Sequence, residues 1–166
     1  MNRLQIALLI ASISVGFQGF SQEPVEIVDP NLTFSYLMPD DWTNSDDPYY
    51  HYITPPCASK GLELTYYDGR CKVIEDCFEA ETKGAFPKKY KNYETTDTGK
   101  LLVGNTEAPW LTFTFSDEDG IKTGFYSTFI KLNQQFTFLF IAEKKCFKSS
   151  RDKIISLIED FRVQPN

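Results

Sequence analysis

Over most of its length the chain alternates apolar and polar residues with a period of two, and in two places it shifts to a helical period. Leu32, Phe34, Tyr36 and Met38 share one parity and predict a strand. Pro39-Asp40-Asp41 closes it, because proline lacks a ladder donor and Asp bonds its own backbone in turns. Residues 49–54 predict a short aromatic strand stopped by Pro55-Pro56. Leu62, Leu64 and Tyr66 alternate as far as the turn signal Asp68-Gly69. Ile74, Cys77, Phe78, Glu81 and Ala85 then recur at helical spacing, which predicts a helix over 73–86 ended by Gly84 and Pro87. Residues 93–98 and 101–103 flank a turn-like Thr98-Gly99. Leu111, Phe113 and Phe115 alternate with Thr112 and Thr114. Asp119-Gly120 marks a tight hairpin, since a primed turn needs positive φ. Residues 123–132 return, Asn133-Gln134 turns, and 135–142 carry Phe136, Phe138 and Phe140 as a core stripe. Ser149 or Ser150 is placed to cap a last helix, with Asp152 where a capping box wants an acid. Ile154, Ile155, Ile158 and Phe161 give that helix one apolar face.

Runs of consecutive strands pair antiparallel, and two amphipathic helices are available to cover them. The fold class is therefore α+β: a single antiparallel β-sheet of about six or seven strands with two packed helices, one mid-chain and one C-terminal.

The first 21 residues follow a different rule. Asn2 and Arg3 are polar, 6–15 is an almost unbroken apolar run, and Gly19-Phe20-Ser21 puts small residues before Gln22. That is the layout of a secretory signal peptide, too short for a membrane span. The expected organisation is a leader over 1–21, a loosely ordered acidic segment over 22–31 and one α+β domain over 32–166. Export to a periplasmic or extracellular compartment follows, with no membrane span in the mature chain. The leader carries only Arg3, so its removal takes the formal charge from −6 to −7. Such a surface repels nucleic-acid phosphate, which excludes nucleic acid as a partner.

The strand ending in Pro-x-x-Trp (Phe34 to Trp42), the aromatic strand over 136–141, and the capped helix with its Ile154-Ile155-Ser156-Leu157-Ile158-Glu159-Asp160-Phe161 finish resemble the PsbP-like fold of small exported proteins. The resemblance implies an antiparallel sheet with helices packed on it, and binding of proteins rather than catalysis. It implies no particular partner, since a fold does not fix function.

All four cysteines, Cys57, Cys71, Cys77 and Cys146, lie beyond the leader. An even number in an exported chain predicts disulfides, and their spacing is not that of a zinc site. Cys71 and Cys77 bracket the start of the first helix. Cys57 and Cys146 each follow a strand and pair if those strand ends meet. Cys57–Cys71 with Cys77–Cys146 is the rival connectivity.

His51 is the only histidine, so any Ser-His-Asp or Cys-His site must use it. No nucleophile signature or phosphate-cradling glycine loop accompanies it, and no catalytic residue, cofactor or metal ligand is assigned. Asp40-Asp41, Asp46-Asp47 and Asp117-Glu118-Asp119 offer oxygens to a hard cation, but Asp-rich turns also form for backbone reasons. Trp42, Tyr49, Tyr50, His51 and Tyr52 border one Asp-rich loop and make the candidate binding surface, because Trp and Tyr combine apolar area with a polar tip. The reading is a small exported non-catalytic binding or accessory protein. The alternatives are an exported hydrolase with an unrecognised site and a small-ligand or calcium-binding carrier.

Overall fold

The computed structural model describes residues 24–45, 51–69 and 71–166. The leader and its cleavage point, Asp46, Asp47, Tyr49 and Tyr50 lie outside the described residues. Among the described residues ten strands form two sheets. β3 (Thr43–Asn44), β4 (His51–Thr54), β5 (Leu62–Asp68), β9 (Gln134–Glu143), β8 (Gly120–Lys131), β7 (Thr106–Asp117) and β6 (Lys91–Val103) make a seven-stranded sheet in that order. Every pairing in it is antiparallel. β1 (Val25–Val28), β2 (Leu32–Tyr36) and β10 (Arg162–Pro165) make the second, with β2 in the middle. The α+β class holds, and the sheet of seven strands is accompanied by this smaller one.

The alternation of Leu32, Phe34 and Tyr36 correctly marks their buried face, at 2%, 0% and 1% exposure. It carries no information about the edge partner. β2 packs face to face on the large sheet instead of extending it, so that Phe34 meets the Phe136 and Phe161 rings. Val25–Val28, inside the acidic entry segment, pairs along β2 as β1.

The large sheet is covered on both faces. On one side β2, Trp42 and the helix α3 (Lys144–Glu159) enclose Phe125, Phe129, Phe136, Phe138 and Phe140. Phe161 is the hub, with its ring against those of Phe34, Tyr36, Phe129, Phe136 and Phe138. On the other side a helical run packs Phe86 and Tyr90 on Leu111, Phe113, Phe115 and Tyr126. Each such ring removed from water contributes roughly 1.5–3 kcal/mol.

Three local expectations are corrected. The first helix does not stop at Gly84 and Pro87. It runs as α1 (Ile74–Glu79), a π-helical turn over Ala80–Ala85, and α2 (Phe86–Lys89). A π turn inserts one residue, which shifts the buried positions from 81 and 85 to Thr82 and Phe86 and lets Pro87 sit at the start of a new α turn. Thr98-Gly99 is not a turn: β6 is continuous, and a Cβ on Gly99 would stand 2.7 Å from the Trp110 ring. Glycine is there to let the indole lie on the backbone. Finally, α3 begins at Lys144, before Ser149 and Ser150, and has no side-chain cap. Its first turn is held instead by the Cys57–Cys146 bridge and by Phe147 stacked on Phe140.

Candidate functional site

Both disulfides form with the connectivity Cys57–Cys146 and Cys71–Cys77, and the rival pairing is not adopted. The first ties the turn after β4 to α3. The second ties the loop after β5 to α1.

The three candidates among the described residues, Trp42, His51 and Tyr52, lie in different surroundings. Trp42 is 6% exposed and stacked on Phe140, so it belongs to the core. His51 and Tyr52 are neighbours on β4 and therefore face opposite sides of the sheet. The His51 ring lies on the inner side, edge-on to Phe34 at 5.6 Å and parallel to Tyr66 at 6.4 Å. The Tyr66 hydroxyl donates to Asp29 Oδ2 at 3.0 Å. Burial, and then that bond to Asp29, push the Tyr66 hydroxyl up to about 12. His51 thus sits in a stacked aromatic column that joins the two sheets.

Tyr52 faces the other way, into an open groove of about 620 Å³. Cross-strand register builds it. Tyr52 pairs with Glu63, Glu63 with Leu139, and Leu139 with Tyr126, so one row of side chains crosses β4, β5, β9 and β8. Tyr52, Thr54, Leu139 and Ile141 line the groove with Glu63, beside Lys60 from the loop before β5 and Lys89 and Tyr90 from the end of the helical run. Tyr90 is largely buried, and this raises its hydroxyl pKa, with Lys89 acting in the opposite direction.

A second hollow of about 510 Å³ shares Ser59, Lys60 and Ile141 with the first and runs to Lys122. Three carboxylates surround that ammonium group: Asp117 at 3.9 Å, Asp119 at 4.0 Å and Glu143 at 3.8 Å. The acidic hairpin is thus organised by a lysine. Asp41 is similarly engaged, accepting from Lys153 Nζ at 2.6 Å, which holds its carboxyl below the usual carboxylate range. Among the described residues no three His, Cys, Asp or Glu side chains converge to hold a metal.

Lys60, Glu63, Lys89, Leu139 and Ile141 are absent from the sequence-derived candidates. They come from three stretches of sequence, which β-register and the end of the helical run bring together. One signal was present. Phe136 to Ala142 is nearly continuously apolar, the mark of a strand buried on both faces, so Leu139 and Ile141 needed a covering layer or a ligand.

No protein-family model matches this sequence, and neither does any curated protein. Solved structures do. Cyanobacterial PsbP (CyanoP) from Synechocystis sp. PCC 6803 aligns over 86% of this chain and 94% of its own, with a TM-score of 0.59 and 11% identity. LpqN, involved in cell envelope biogenesis of Mycobacterium tuberculosis, aligns over 86% and 90%, with a TM-score of 0.64 and 19% identity. A protein of unknown function from Pseudomonas aeruginosa, PA94, a putative regulator by its description, aligns over 75% and 99% with a TM-score of 0.50 and 6% identity. The chain has the PsbP-like fold. No helix among the described residues is long and apolar enough to cross a membrane, which says nothing of β-barrels.

Proposed function

We propose that the protein is an exported, disulfide-stapled accessory protein that binds a partner through the Tyr52 groove and turns over no substrate. The observation that carries this reading is the groove itself. It is an open hollow with Leu139, Ile141 and Tyr52 on its surface and Lys60 and Lys89 beside them, on a sheet face that the helical run covers only in part. Aromatic and aliphatic area next to charged groups is the composition of a recognition surface. Support for export comes from the leader-like N-terminus and from the closed disulfides, which persist in oxidising compartments. The fold is shared with LpqN, a protein of cell envelope biogenesis. His51, stacked against Phe34 and Tyr66 away from the groove, gives no help to a hydrolase reading.

The test is photo-cross-linking in the source organism. A photoreactive amino acid replaces Tyr52, and in a control it replaces Leu102, which is 59% exposed and lies on β6. A defined adduct at Tyr52 and none at Leu102 supports the reading. Equal labelling at both positions refutes the groove. Hydrolytic turnover that vanishes in His51→Ala with the thermal midpoint unchanged refutes the non-catalytic assignment.

A further inference from the structure

The two disulfides stand in opposite chemical surroundings. Cys77 Sγ lies 3.2 Å from the side-chain oxygen of Gln135, which is 1% exposed. The orientation of that amide is fixed by its other end. Gln135 Nε2 donates to Thr128 Oγ1 at 3.2 Å, and the Thr128 hydroxyl spends its one proton on the Phe136 carbonyl at 2.8 Å. Thr128 can therefore only accept from Gln135, and the amide oxygen must face the sulfur. In the closed bridge Cys77 Sγ carries no hydrogen, so among the described residues this buried acceptor has no donor. Once the bridge is opened, the Cys77 thiol donates to that same oxygen. Leaving a buried acceptor unmade is costly, and satisfying it favours the open form. At the Cys57–Cys146 bridge the neighbours are hydroxyls, Ser149 Oγ at 3.9 Å and Ser150 Oγ at 3.8 Å from Cys57 Sγ. A hydroxyl can rotate to suit either state.

We propose that Cys71–Cys77 is an exchangeable disulfide, a site of thiol–disulfide exchange with dithiol reductants, and that Cys57–Cys146 is the structural bridge. The reaction is balanced by the reductant. A dithiol gives two electrons and two protons, its own sulfurs join, and the Cys71 and Cys77 sulfurs separate as thiols. The Cys77 proton then lies on the Gln135 oxygen. A hollow of about 370 Å³ beside the bridge, lined by both cysteines, Tyr67, Glu81 and Gln135, admits the reductant. Loop length does not decide the preference, since it acts on the unfolded chain and not on the folded one. Exposure does not decide it either: Cys57 is the more exposed of the sulfur residues, so attack rates would not single out the short bridge. The difference lies in the equilibrium, and it is independent of the groove reading.

The experiment equilibrates the mature protein in buffers of reduced and oxidised dithiothreitol, quenches with acid, alkylates and maps both bridges by mass spectrometry. Cys71–Cys77 should open at a lower ratio of reduced to oxidised reagent than Cys57–Cys146. Gln135→Leu should raise the ratio needed by the short bridge about tenfold, equal to about 30 mV for a two-electron couple, and leave the long bridge unmoved. Thr128→Val should act in the same direction, because it frees the amide to turn its N–H groups toward the sulfur. If Gln135→Leu does not fold, Thr128→Val decides; if neither folds, the order of the wild-type midpoints decides. Coincident midpoints, earlier opening of the long bridge, or an unmoved short-bridge midpoint in the folded variants overturns the proposal.

Discussion

Removing the two bridges should cost unequal amounts, and the inequality follows from where they sit. Cys57–Cys146 spans 89 positions, Cys71–Cys77 only 6. In the chain-entropy picture a cross-link removes about 2.1 + 1.5R ln n cal/mol/K from the unfolded ensemble. With those separations as n, the long bridge contributes about 4.6 kcal/mol at 25 °C and the short one about 2.2 kcal/mol. The perturbation is Cys57→Ala with Cys146→Ala, compared with Cys71→Ala with Cys77→Ala. Alanine is preferred to serine because Cys146 is only 6% exposed and a hydroxyl there would need a partner. The assay is equilibrium unfolding in urea, with fluorescence and far-UV circular dichroism followed on the same samples. The long-bridge variant should also show a steeper denaturant slope, because its unfolded chain is freed to expand. The gap between the two variants should be about 2.4 kcal/mol. Equal losses, or a larger loss for the short bridge, would refute the reasoning and place the stabilisation in local contacts instead.

Further outcomes are expected elsewhere in the fold. The Tyr36 hydroxyl is buried without a hydrogen-bond partner among the described residues, so Tyr36→Phe should leave neutral-pH stability unchanged or raise it by about 1 kcal/mol in the same urea assay. Burial pushes that hydroxyl up to about 12 from an ordinary value of 10.0. A folded-state pKa raised above the unfolded one gives stability that is complete below pH 10 and lost as pH rises through 12. Unfolding midpoints should therefore fall across that window, and less steeply in Tyr36→Phe; a flat profile contradicts the assignment. The β8–β9 turn holds Leu132 at φ 51° and Asn133 at φ 61°, while Leu132 is 44% exposed. Leu132→Asn, better suited to the left-handed region, should stabilise by about 0.5–1 kcal/mol, read as a rise in thermal midpoint.

Strand phase was legible in the sequence wherever one face is buried. Leu32-Phe34-Tyr36 and Phe136-Phe138-Phe140 point where their alternation says. What alternation does not encode is the neighbour at the strand's edge, and so β2 could not be assigned to a second sheet. Spacing rules likewise assume 3.6 residues per turn, and one π turn displaced the buried face from Ala85 to Phe86. The sequence favoured the disulfide pairing that forms but left Cys57–Cys71 with Cys77–Cys146 open, because whether the chain after β4 meets the start of α3 is set by the fold and not by spacing. Of the groove proposed as a binding surface, only Tyr52 was legible in the sequence. Lys60 and Lys89 are 29 residues apart and meet across the same groove, a proximity set by β-register and by where a helix ends. Local aromatic density had pointed to Trp42, whose ring the core required.

The small sheet places a condition on the order of folding. Its central strand β2 precedes every strand of the large sheet in sequence, and its outer strand β10 follows them all. Their backbones pair from Arg162↔Ser35 to Pro165↔Leu32, and Thr33 Oγ1 donates to Asn166 Oδ1 at 2.6 Å. A chain that emerges N-terminus first cannot complete this clasp until residues 162–166 are free to reach β2. Until then Phe34 and Tyr36 have no Phe161 to stack on, and the β2 edge stays unpaired. The core on this side closes only when two strands from either side of the large sheet in sequence meet, and until then the bare β2 edge is one to which a neighbouring chain can pair.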